Sequence, residues 1–250
     1  MNYYSIPPFE HLGADEECKH FLTVAQWVEQ SEALFQFYKA KSLLGTNLIL
    51  DNGVFEYREA YDTDKYIEMA KELRADIIVA PDEWKDANKT VNMTLEFINS
   101  LSDNDLRKFE VMAVPHGKTL EEYMWCYGKI SREVGLIGLA KDEWGDSTGY
   151  IRPFMTHHLE LPQVPMKFHL LGLTHVKELL YCNPDKVVSF DTSMPYKLGK
   201  EIKYLSSDTT IGTRYDPKAK LNDIQLEVSI TNCNSLRELA GDLKQNLWMC

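Results

Sequence analysis

The chain has 250 residues, 44% of them hydrophobic, and 27 Lys and Arg against 38 Asp and Glu give a formal net charge of -11. That length suits one large core in a single domain spanning residues 1–250. The negative balance excludes a broadly basic nucleic-acid surface, so any polyanion must be held by a local patch. Cys18, Cys126, Cys182, Cys233 and Cys250 are scattered, with no CxC, CxxC or Cys/His zinc spacing, which suits a reducing compartment and implies no cofactor. Dispersed Cys and His residues still leave open a zinc ion assembled in three dimensions. No apolar run of about 18 residues and no charged-then-apolar leader is visible, so a cytoplasmic protein with no membrane segment is expected.

Residues 1–13, rich in Tyr and Pro, read as an extended lead-in, and Phe21-Leu22-Thr23-Val24 as a first short strand. Apolar residues at helical spacing (Trp27, Leu34, Phe37, Tyr38) predict a helix over 26–44, ended by Gly45-Thr46. Leu48-Ile49-Leu50-Asp51 is a buried strand ending on a carboxylate. A helix over 64–74, opened by a capping Asp, leads into a second such strand over 76–82. A helix over 87–100 precedes a strand over 110–117, and Thr119-Leu120-Glu121-Glu122 reads as a capping box opening the next helix. Strands follow over 136–142, 167–173 and 186–191, with a short helix over 175–181. Thr210-Ile211-Gly212 and residues 226–230 are candidate late strands, and 235–247 a terminal helix.

Near-continuous apolar strands separated by amphipathic helices indicate a parallel sheet covered by helices. With neither a GxGxxG nor a P-loop motif, a closed (β/α)8 TIM-type barrel is favoured over a doubly wound nucleotide-binding sheet. Such a barrel gathers Asp51, Asp82, His116, Gly138, Gly172 and Asp191 at one mouth. Like charges that close raise one another's pKa, so carboxylate clusters persist where they hold a cation, bind a donor-rich ligand, or divide acid and base roles. Glycine at a strand end lets backbone approach a flat ligand, and Phe55 supplies a stacking face.

Other conspicuous residues have simpler readings. His157-His158 fits a surface turn near Pro153 and Pro162, because adjacent histidines do not point at one metal. His169 reads as a satisfied core or rim residue. Lys141-Asp142 and Lys177-Glu178 read as a solvated rim, and Trp27, Phe35 and Phe37 as core.

Ordered blocks from about Leu48 to Lys200 carry a resemblance: Asp51-Asn52-Gly53-Val54-Phe55-Glu56, Pro81-Asp82-Glu83, Val114-Pro115-His116-Gly117, Gly138-Leu139-Ala140, His169-Leu170-Leu171-Gly172-Leu173 and Ser189-Phe190-Asp191-Thr192-Ser193-Met194-Pro195. Together they resemble the tRNA-guanine transglycosylase superfamily. The short chain and the missing CxCxxC…His zinc site make it most similar to the phage branch, the DNA 7-deazaguanine transglycosylases. The resemblance implies that Asp191 is the nucleophile that attacks C1′ of a guanosine nucleotide, and that Asp51 is a general acid/base. It implies that Asp82 recognises the amino-pyrimidone edge and that Phe55 stacks on the base. Asn52, Gly53, Gly117, Gly138, Leu139 and Gly172 would line the pocket. His116-Gly117 stands where the tRNA enzymes carry Gln-Gly.

The implied partners are DNA, with tRNA as second choice, and a free 7-deazaguanine of the preQ0 or preQ1 type. A homodimer is compatible. Lys197, Lys200, Lys203 and Arg214, in the densest basic stretch, are the candidate phosphate contacts, against ordinary surface lysines. A non-catalytic partner subunit and a nucleoside or glycoside hydrolase are the alternatives.

Overall fold

The computed structural model describes residues 1–141, 151–159, 166–209 and 215–245. Eight strands close a barrel in chain order: β1 (Asn2–Ser5), β2 (His20–Val24), β3 (Asn47–Asp51), β4 (Ile77–Val79), β5 (Glu110–Ala113), β6 (Leu136–Ala140), β7 (Lys167–Leu171) and β8 (Val187–Thr192). Every neighbouring pair is parallel, and β1 closes the ring against β8 with Tyr4 beside Asp191. Helices connect the strands. α1 (Ala25–Glu29) and α2 (Glu32–Leu43) follow β2, α3 (Val54–Tyr57) and α4 (Thr63–Leu73) follow β3, and α5 (Ala87–Ser100) and α6 (Asp103–Leu106) follow β4. α7 (Leu120–Ile130), α8 (Ile151–His158) and α9 (Lys177–Tyr181) follow β5, β6 and β7, and α10 (Met194–Lys200) and α11 (Asp223–Gln245) follow β8. This is the expected (β/α)8 TIM-type barrel.

The apolar strands are buried on both faces and so build two layers. Leu22, Ile49, Val79, Met112 and Leu136 fill the barrel interior. Their neighbours Phe21, Leu50, Ile78, Val111 and Ile137 face the helix layer. Each large aliphatic so buried contributes about 1.5–3 kcal/mol, and this fixes which residues of each strand point inward. Among the described residues no helix is long and apolar enough to cross a membrane.

Several expectations are corrected. The lead-in contains β1, so residues 21–24 belong to the second strand. The helix expected over 26–44 breaks at Ser31, whose hydroxyl accepts Leu34 N–H (3.3 Å) and starts α2. α4 is capped by Asp62, which accepts Lys65 N–H (3.0 Å). Thr119 caps α7 (3.2 Å to Glu122 N), but Glu122 returns to Lys118 N–H (2.7 Å), one residue before the box position. His157 and His158 lie in the last turn of α8, not on a surface turn, since Pro153 sits near the helix start where its missing N–H costs nothing. Residues 226–230 are helical: Ser229, Cys233, Leu236 and Ala240 form a buried stripe at helical spacing that outweighs β-branched composition. The candidate strand 210–212 lies outside the described residues.

Candidate active site

β8 brings Asp191 to the mouth through an irregularity. Val187 pairs with Phe168, but the next pair is Ser189 with His169, so one extra residue is inserted in β8. A bulge of this kind re-aims the side chains after it. Phe190 faces outward, stacking on Tyr3 (centroids 5.6 Å apart), which turns Ser189 and Asp191 into the barrel. There His169, fully buried, bridges them, with Nδ1 2.7 Å from Ser189 Oγ and Nε2 3.0 Å from Asp191 Oδ1. A carboxylate oxygen accepts, so Nε2–H donates to Asp191 Oδ1, while the Ser189 hydroxyl can donate to or accept from Nδ1. Gly172 N–H donates to the same Oδ1 (3.0 Å) from a left-handed turn (φ 64°) at the end of β7. Among the described residues Oδ2 receives no hydrogen bond. One oxygen is thus anchored and the other is free to react.

Asp51 ends β3. Its Oδ1 accepts Gly53 N–H (2.7 Å) across a turn that places Gly53 at φ 79°, with the Gln26 side chain packed where a Cβ would stand. Withdrawal from water pushes the Asp51 carboxyl well above the usual range. The charge of Glu56 adds to this, as do those of Asp82 and Asp191, while the Gly53 N–H opposes it. The three carboxylates therefore lie within electrostatic reach at one mouth.

Asp82 and His116, both buried, form a pair (Oδ2 to Nε2 2.6 Å) between the ends of β4 and β5. Trp84 lies 5.5 Å from the His116 ring and 5.8 Å from that of Phe55, which is 43% exposed and is the open stacking surface of the mouth. Lys141 Nζ sits 4.9 Å from the centre of Phe55, and Arg58 lies 5.6 Å from both Phe55 and Trp84.

The other candidates have different surroundings. Asn52 is buried, and its amide joins the loops: Nδ2 donates to Ala80 O (2.8 Å) and Oδ1 accepts Val54 N–H (3.0 Å). Gly117 packs on the start of α7, where a Cβ would stand 2.4 Å from Tyr123 N. Gly138 faces the barrel interior beneath Leu171 and Val114, and Leu139 faces the helix layer. Lys197 lies on α10, and burial, with Lys141's charge second, pulls its ammonium down to about 8. Lys200 is exposed at the end of α10, Lys203 is ion-paired with Glu201 (2.7 Å), and Arg214 lies outside the described residues.

Two helix side chains brace the mouth by reaching between strand ends. The Tyr66 hydroxyl accepts Val79 N–H (3.0 Å) and donates to Leu50 O. Arg152 donates to Leu171 O (2.6 Å) and Leu139 O (3.2 Å) while paired with buried Glu178 (2.7 Å). Glu178 is therefore an internal counter-charge and not the solvated rim residue expected of it. His169 is first contact to the candidate nucleophile. The signal for it was present: His169 and Ser189 are isolated polar residues inside apolar strands, and buried polar groups require partners.

Among the described residues no group of three or more His, Cys, Asp or Glu is arranged to hold a metal ion. The chain matches no family model and has no match among curated proteins.

Proposed function

We propose that the protein is a base-exchange glycosyltransferase that replaces guanine in DNA by a 7-deazaguanine. The observation that carries this reading is Asp191, tethered through Oδ1 by His169 and Gly172 with Oδ2 unbonded among the described residues, beside a second carboxyl that burial keeps protonated to higher pH. In this cycle Asp191 Oδ2 forms a bond to C1′ as the C1′–N9 bond breaks. The leaving guanine takes the electron pair and a proton from Asp51. The incoming base gives its N9 proton back to Asp51, attacks C1′ and displaces Asp191. A carboxylate suits this role because it stabilises an oxocarbenium-like transition state and then holds the sugar.

Phe55 and Trp84 supply flat apolar surface for the heterocycle, and the Asp82 carboxyl oxygens accept from the N–H donors of a guanine-like edge, steadied by His116. To reach C1′ the target base must leave its stack or lie in a single strand. The ordered blocks from Leu48 to Lys200 point to DNA and a deazapurine as the exchanging pair.

The test is incubation with radiolabelled guanine and DNA, with a tRNA arm beside it. Incorporation into DNA, abolished in a folded Asp191→Ala variant, is the expected result. Release of guanine without incorporation would make the protein a hydrolase. Neither outcome would leave a binding role, and normal exchange by Asp191→Ala would end the nucleophile assignment.

A further inference from the structure

Lys141 was expected on a solvated rim, yet its side chain reaches into the mouth. The stem covers Gly172, lying 3.2 Å from where a Cβ would stand there, beside the backbone N–H that holds Asp191. Its ammonium ends over Phe55, which follows β3 on another side of the ring. Lys197, six residues after Asp191, is half-buried and lies close enough for the two ammonium charges to act on one another. Neither lysine has a carboxylate partner among the described residues. Two cations within electrostatic reach at this end of the barrel, one of them half-buried, repel and lose hydration, so the arrangement favours an anion held by both.

We propose that Lys141 and Lys197 form an anion seat for the phosphate of the nucleotide whose sugar meets Asp191, and that Lys141 leaves the Phe55 ring to take it. This rests on the base-exchange reading and adds a substrate requirement to it: the site takes a phosphorylated nucleotide rather than a nucleoside. It also makes Lys141 a competitor for the stacking face. Its ammonium covers in the free protein what the base covers in the complex, so base and phosphate binding reinforce one another.

Calorimetric titration at pH 7 with deoxyguanosine 5′-phosphate, deoxyguanosine, guanine and inorganic phosphate tests the proposal. The phosphorylated nucleotide should bind at least about tenfold more tightly than the nucleoside, a gap expected of charge-assisted contacts. In Lys197→Met and Lys141→Met that gap should collapse, while guanine binds as before to Lys197→Met and more tightly to Lys141→Met. Lys141→Arg, which keeps the charge, should retain the gap, and circular dichroism checks each fold. Equal affinities for nucleotide and nucleoside in the unaltered protein would overturn the seat and leave the base pocket standing. If guanine fails to bind while inorganic phosphate binds through both lysines, the seat stands and the base-exchange reading falls. If neither binds, both fall.

Discussion

Replacing His169 by Phe isolates the tether on Asp191. Phenylalanine keeps a ring in the fully buried slot, edge-on to Tyr4 at 5.7 Å between centroids, and deletes both hydrogen bonds. Losing the charge-assisted bond to Asp191 costs about 1.5–3 kcal/mol and the neutral bond to Ser189 about 1 kcal/mol. The sum, about 2.5–4 kcal/mol, corresponds to a Tm lower by about 5–15 °C at this chain length. Adding Ser189→Ala removes the orphaned hydroxyl and should recover about 1 kcal/mol, a non-additivity expected of groups in contact. Asp191 would keep only the Gly172 N–H, and a nucleophile misplaced by about 1 Å loses on the order of a hundredfold in rate. Guanine affinity should stay unchanged, since Phe55, Asp82 and Asp51 are untouched. Thermal denaturation, calorimetry with guanine and single-turnover exchange measure the three quantities. A His169→Phe protein with unaltered Tm and exchange rate would refute the tether.

Asp51→Asn keeps an acceptor for Gly53 N–H and removes a carboxyl whose pKa is raised from the ordinary 3.8. Between 3.8 and the raised value the folded chain binds more protons than the unfolded one, so stability falls as pH rises through that window and stays reduced above it. The variant should therefore lose exchange while gaining about 0.5–2 kcal/mol at neutral pH, read as a higher Tm than the parent. No gain, or a loss, would contradict the assignment. Glu56→Gln removes the second-largest cause of that raised pKa, so the pH profile of exchange should shift to lower pH, and an unmoved profile would exclude Asp51 as the titrating group. Arg152→Met leaves Glu178 buried without its partner and should cost about 3–5 kcal/mol, whereas the double variant with Glu178→Met should recover most of it. Denaturant unfolding reads both, and equal losses would show that the pair does not act as a unit.

The barrel was legible because apolar runs such as Leu48-Ile49-Leu50 and Val187-Val188 alternate with helical spacing, a pattern that parallel packing dictates locally. The strand-end carboxylates Asp51, Asp82 and Asp191 were legible for the same reason. What stayed hidden is three-dimensional. The extra residue that turns Ser189 and Asp191 inward is a property of pairing with β7, since parity along β8 alone would send every second side chain the other way. His169 looked like core because it is core, and its importance lies in the partner that β8 brings to it. Lys141 and Trp84 reach the mouth by side-chain length and loop path, which spacing does not encode. α11 is only partly legible because Val228 and Ile230 favour strand, while its buried stripe emerges only over several turns against β1 and α10.

The central claim is a sugar bonded to Asp191. Acid-quenching the protein with a guanine-containing oligonucleotide, digesting it and mapping the adduct by mass spectrometry tests this directly. The account predicts a modified peptide whose added mass is that of the oligonucleotide less guanine, attached at Asp191, formed by the unaltered protein and absent from Asp191→Asn. A sugar on Asp51 or Asp82 instead, or exchange proceeding with no adduct in a time course that resolves a single turnover, would contradict it.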